Sequence, residues 1–183
     1  MFARTWSEEL VAEWLSWHGF AVLVSVPAGS GRGGGRNEAD VVGFRFEGDK
    51  LVIEHWEISS ILLKGKDVTG KMKKKFSRDR VKAIEEYIIN VLGLSNKQTL
   101  SIEYRKRAII FTSKKALSEA KEILQKEGIK VYSIREFFEK YMKHTVEDQV
   151  RVMRTFPDSY WLLNMLYTLR AEKIIDWQPQ SQQ

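Results

Sequence analysis

NEADVVGFRFEGDKLVIEHWEISS, residues 37–60, decides how this chain folds. Two runs rich in β-branched and aromatic residues flank Gly48-Asp49, a pair suited to a type II′ turn with glycine at the first central position. If Glu47 and Lys50 close that turn, Phe46 faces Leu51, Phe44 faces Ile53, Val42 faces His55 and Asp40 faces Glu57. Glu54 falls opposite Gly43 and points to the other face, because side chains alternate along a strand. Two facing carboxylates repel unless one holds a proton or a cation lies between them. A hard divalent ion, Mg2+ or Mn2+, would resolve that conflict. The alternative is a frayed pair of strand ends with both acids solvated, and a one-residue slip would separate them altogether.

Outward from the hairpin, the pattern is helix, strand, hairpin, then alternating helices and strands. SEELVAEWLSWHGF has Ser7 as N-cap, apolar residues at helical spacing and Gly19 as a stop, and AVLVSV (21–26) is a short strand. PAGSGRGGGRN (27–37) is a glycine-rich loop carrying Arg32 and Arg36, with no helix directly after it and no phosphate-loop lysine. Thr69 to Leu92 reads as one helix, basic first and amphipathic later. RKRAIIFTS (105–113) is a strand, KKALSEAKEILQKEG a helix closed by Gly128, IKVYS a strand and IREFFEKYM a helix behind a Ser133/Glu136 capping box. More helices follow, one of them the apolar YWLLNMLYTL, either core or a dimer surface. The expected class is α/β, a mixed β-sheet flanked by helices with extra C-terminal helices. The expected domains are 1–143, a helical extension over 144–177 and a disordered tail over 178–183.

Composition narrows the function. The chain has 183 residues, no cysteine and a net charge of +6. Disulfides, cysteine-zinc sites and thiol nucleophiles are excluded, and His18 and His144 have no partners at zinc-ligand spacing. No apolar run is long enough to span a bilayer and no secretion signal is evident, so a cytoplasmic protein is expected. Lys64 to Lys82 concentrates the positive charge, as a phosphate backbone would require; the plain alternative is a solvated helix face.

The early helix with its glutamate, "GFAV", the Gly/Ser-rich loop, "EADVVG" and a second strand ending in "WEIS" resemble the PD-(D/E)XK, or restriction-endonuclease-like, nuclease core. Archaeal Holliday-junction resolvases are the most similar members. The resemblance covers roughly residues 7–60. It implies Asp40 and Glu57 as metal ligands with the Ile58 carbonyl, Glu8 as an extension of the metal or water site, and a homodimer acting on DNA. The segment between the two acids is longer than in the resolvases. The family's lysine, two residues after the glutamate, is Ser59 here. That lysine orients the attacking water and offsets developing charge, and losing such a group costs about 10²–10⁴ in rate.

Two expectations follow. One is a Mg2+-dependent endonuclease in which Asp40, Glu57, Ser59 and Glu8 form the catalytic site and another lysine, Lys64 or Lys66, reaches in. The other is a degenerate nuclease fold that binds DNA without cutting, where Ser59→Lys would restore some activity. In both, Arg32, Arg36, Lys64, Lys66, Lys71, Lys73, Lys74, Lys75, Arg78 and Arg80 engage the phosphate backbone. His55, on the face of the two acids, is a partner for Glu57, a weak base or a core histidine.

Overall fold

The computed structural model describes residues 5–29, 37–59, 65–94 and 100–177, with backbone alone for 65–67. Arg32, Arg36, Lys64, the Lys66 side chain and the 178–183 tail lie outside the described residues. The chain forms two compact units, Met1–Ser133 and Ile134–Gln183.

The first unit is built on the hairpin. β2 (Glu38–Glu47) and β3 (Lys50–Ser59) pair antiparallel in the expected register, with Val42 opposite His55, Phe44 opposite Ile53 and Glu47 opposite Lys50. Gly48 sits at φ 65°, as the first central position of a type II′ turn requires. β1 (Ala21–Pro27) adds antiparallel to β2. β4 (Ser101–Ile110) and β5 (Ile129–Tyr132) add in parallel beyond β3, giving the order β1-β2-β3-β4-β5. This mixed five-stranded sheet flanked by helices is the expected α/β architecture.

Two helix layers cover the sheet. α1 (Trp6–Trp17) lies on the face of Gly43 and Trp56, where the Trp14 and Trp56 rings meet at 6.1 Å. A Cβ at Gly43 would lie 3.1 and 3.2 Å from the two Leu15 methyls and 3.3 Å from the Phe20 Cβ, so the missing side chain is what lets α1 approach. The N-cap of α1 is Thr5, whose hydroxyl accepts from Glu8 N–H, and not the expected Ser7. Glu54 is buried on this same face and accepts from Arg105 at 3.2 Å and from Arg107, whose guanidinium also covers the Trp56 ring. The third acid of the hairpin is therefore held in a local ion cluster, away from Asp40 and Glu57.

The opposite face carries α2 (Gly65–Lys75), α3 (Arg78–Val91) and α4 (Lys114–Gln125). Ile84 and Ile88 of α3 bury against Val42, Phe44, Leu51 and Ile53. Val68, Met72 and Phe76 bury against Ala108, Ile110, Ala120 and Leu124. The expected continuous helix over Thr69–Leu92 is in fact two, parted at Phe76-Ser77, where Ser77 takes an extended ψ of 152°. At the break Phe76 turns inward onto the His55 ring, 4.6 Å centroid to centroid, and the Lys75 carbonyl accepts a hydrogen bond from Arg80 Nε at 3.0 Å.

The second unit is helical: α5 (Ile134–Phe137), a π-helical stretch (Phe138–Met142), α6 (Lys143–Arg151) and α7 (Trp161–Ala171). Residues 134–151 are thus continuously helical, so the units part after Ser133 and not at the expected 143/144 boundary. α7 buries Leu162, Leu163 and Leu166 while Trp161 stays 53% exposed. Asn164 ties the preceding loop to α7 by accepting from Phe156 N–H and donating to its carbonyl. Among the described residues no helix is long and apolar enough to cross a membrane.

Candidate functional site

Where the hairpin ladder ends, its two acids converge. The last β2–β3 pair is Val41 with Trp56; beyond it the Asp40 side chain replaces the ladder, its Oδ2 accepting from Ile58 N–H at 2.7 Å. The β1–β2 ladder skips the same point, passing from Val24–Val41 to Val26–Ala39 around Ser25, which sits at φ 55°. A non-glycine residue in the left-handed region costs about 1 kcal/mol, and such strain collects at functional sites. Asp40 is therefore aimed from a local interruption of the sheet.

Glu57 is fully buried, on the same face, and its ladder neighbour on β4 is the small Ala108. Between the acids sits one ammonium. Lys75 Nζ, at the C-terminal end of α2, donates to Glu57 Oε2 at 2.5 Å and to Asp40 Oδ1 at 3.3 Å. His55 Nε2 lies 2.9 Å from Glu57 Oε1, and the Tyr104 hydroxyl lies 2.8 Å from His55 Nδ1. Arg80 approaches Glu57 Oε1 at 3.6 Å. Asp40, Glu57, Lys75 and Arg80 border a cavity of about 500 Å³ whose wall also includes Asn37, Ile58, Ser59, Lys71, Met72 and Lys74.

The electrostatics follow from burial. Removal from water, then the Glu57 charge, raises Asp40 from 3.8 to about 6, against the pull of Lys75 and the Ile58 N–H. Burial likewise raises Glu57, with Lys75 opposing. Burial pulls Lys75 down, but the two carboxylates outweigh it and leave its pKa raised, so it stays an ammonium. Burial and the Arg80 charge drop His55 to about 3, so its ring is neutral at physiological pH.

The expected residues sort unevenly. Asp40, Glu57, Ile58 and Ser59 come together at the cavity. Glu8 is buried in the first turn of α1 and does not line it. Lys71 and Lys74 do line it. Lys73 turns instead to Glu127, at 2.7 Å, and Arg78 is exposed but off the cavity wall. Two residues expected on the phosphate surface have other partners. Lys75 is the counter-ion of the acid pair, and Arg80, its side chain 13% exposed, donates to Asn37, the Glu38 carbonyl and the Lys75 carbonyl, bracing β2 against the helix break.

Lys75 and Tyr104 are what the motif reading missed. The Val68, Met72, Phe76 stripe was a usable signal for the first: it fixes the phase of α2 and sets Lys71 and Lys75 on one flank of it. For Tyr104 the sequence held no signal, because the β3–β4 register is set across a long crossover and not by a turn.

The donor set suits a hard cation. Asp40 and Glu57 offer paired carboxylate oxygens of the kind Mg2+ takes, one or two with water completing its shell, and here Lys75 and Arg80 supply the opposing charge. Among the described residues no three His, Cys, Asp or Glu side chains gather as a metal-ligand group.

No family model and no curated protein sequence matches the chain. Among solved structures it is similar to a crystallised protein of unknown function, AF1548, at 14% identity and a TM-score of 0.41, over 91% of this chain and 97% of that one.

Proposed function

We propose that this protein is a metal-dependent endonuclease acting on DNA, in which the lysine absent from position 59 is supplied by Lys75. The observation that carries the reading is the Lys75 ammonium lying on both Asp40 and Glu57 at the wall of a cavity flanked by Lys71 and Lys74. Asp40, Glu57 and the Ile58 carbonyl would hold Mg2+ or Mn2+. The ion supplies a water activated for attack and a positive charge at the phosphoryl oxygens.

The chain's own residues do the rest. Lys71 and Lys74 draw the phosphate backbone to the cavity through Coulomb attraction and counterion release. Lys75 Nζ, near both acids, holds the attacking water by hydrogen bonding and offsets charge that develops on the phosphorane. Water oxygen forms the new P–O bond, the ester oxygen leaves, and the water's proton passes to solvent or to the leaving oxygen. Arg80, braced on Glu38 and Lys75, keeps the helix break and therefore Lys75 in place.

The test is cleavage of duplex and four-way-junction DNA in Mg2+ or Mn2+, with binding measured in parallel. Asp40→Asn is expected to lose cleavage by at least about 10²-fold while DNA affinity stays close to the parent's. Absence of cleavage by the parent in both metals overturns the reading.

A second reading is favoured by the same contact. A fold that neutralises its own acids with an internal ammonium has no need of a metal, and would bind DNA as a non-cutting module. Salt-sensitive binding by the parent without nicking would select it; no binding at low salt would sink both.

A further inference from the structure

We infer that Tyr104 and His55 form a positioning relay for Glu57: the Tyr104 O–H donates to His55 Nδ1, the Nε2–H of that ring donates to Glu57 Oε1, and Glu57 Oε2 is thereby left facing Lys75 and the cavity. This rests on the proposed metal site and names two residues that serve it without touching the cavity themselves.

The direction of every bond follows from what each atom can give. Lys75 Nζ lies 2.5 Å from Glu57 Oε2, so when Glu57 holds a cation as a carboxylate its Oε1 can only accept, and the His55 atom there donates. A neutral imidazole has one donor nitrogen, so with Nε2–H donating, Nδ1 is an acceptor. The Tyr104 hydroxyl at 2.8 Å is then the donor. No other protonation pattern with an ionised Glu57 and a neutral ring satisfies both contacts.

The surroundings hold the relay rigid. Tyr104 is on β4 opposite Ile53, one parallel-ladder step from His55, so both rings project from the same face of the sheet. His55 has no exposed surface, and Phe76 from the α2–α3 break packs on its ring. Its ring meets the Tyr104 ring edge-on at 88°. A carboxylate on a strand has two free torsions beyond Cβ; the Nε2–H contact fixes the outer one and so fixes which oxygen the cavity sees. Groups that orient a ligand from behind in this way typically change metal affinity or activity by about 10–100-fold when removed.

The experiment combines a tautomer measurement with a cation titration. Protein labelled with 15N at histidine gives long-range 1H–15N spectra in which the two neutral tautomers differ, and His55→Gln assigns the His55 signals. The parent is expected to show the Nε2–H form, and Tyr104→Phe a mixture. Mn2+ titrated into each variant should bind about 10-fold more weakly to Tyr104→Phe and at least as weakly to His55→Leu. His55→Gln, whose amide N–H reaches the Nε2 place, should stay within about threefold of the parent. A loss caused only by disturbed packing would not be rescued by glutamine. An Nδ1–H ring in the parent, or parental Mn2+ affinity in Tyr104→Phe, overturns the relay. If the parent binds no Mn2+ the proposed function fails, and the relay is then decided by the tautomer alone.

Discussion

Replacing Lys75 by methionine removes the ammonium shared by the buried Glu57 and the half-buried Asp40 while keeping most of the side-chain volume. At an effective dielectric near 20, contacts of 2.5 and 3.3 Å are each worth about 5–7 kcal/mol before desolvation. Removing one partner of a buried pair costs about 3–5 kcal/mol in practice. The Lys75 side chain is 35% exposed, so solvent screens part of this, and about 2 kcal/mol of destabilisation is expected near neutral pH. For a chain of this size that is a fall in Tm of about 5 °C.

The deficit must depend on pH. A carboxyl whose folded pKa is raised stabilises most below its unfolded value and loses that contribution as pH rises through the folded one. For Asp40 the window runs from 3.8 to about 6, and without Lys75 its upper edge moves higher. Lys75→Met should therefore unfold close to the parent near pH 4 and fall behind as pH rises past about 6. Millimolar Mg2+ should raise the Tm of the variant more than that of the parent, since the cation enters the charge vacancy. Thermal unfolding by circular dichroism across pH, with and without Mg2+, measures all three. A variant as stable as its parent at neutral pH, or a deficit that ignores pH, refutes this account of the acid pair.

Three further outcomes are expected. Glu54→Leu removes the buried carboxylate that Arg105 and Arg107 share and should destabilise by about 3 kcal/mol in urea unfolding, with DNA affinity unchanged. Gly43→Ala pushes a methyl against Leu15 and Phe20 and should cost about 1–2 kcal/mol by the same assay. Lys71→Ala with Lys74→Ala should weaken DNA binding evenly across sequences and reduce the log–log salt slope by about 2, read by fluorescence anisotropy.

The hairpin was legible because two signals agreed: a Gly-Asp turn and the β propensity of the Val, Ile and Phe runs on either side of it. Those signals fixed which side chains share a face, and so brought Asp40, Glu57 and His55 together before any coordinates. The helix break was not legible from charge. In KMKKKFSRDR one lysine looks like another, and only the apolar stripe through Met72 and Phe76, with Ser77 starting a new helix, separates Lys75 from Lys73 and Lys74. Arg80 shows the same limit: nothing in a basic run distinguishes the residue that is braced between β2 and the end of α2. Parallel pairing of β3 with β4 brings Tyr104 to the site, and no local pattern encodes that register.

Delivery of the ammonium from the end of α2 changes what position 59 is worth. Ser59 and Lys75 line one cavity, so a lysine introduced at 59 would meet a place already taken. Ser59→Lys would then crowd two like charges around a single dicarboxylate, and it should weaken the fold where a simple motif repair would strengthen catalysis. The pair Ser59→Lys with Lys75→Ser would instead move the charge from helix to strand without adding a second one.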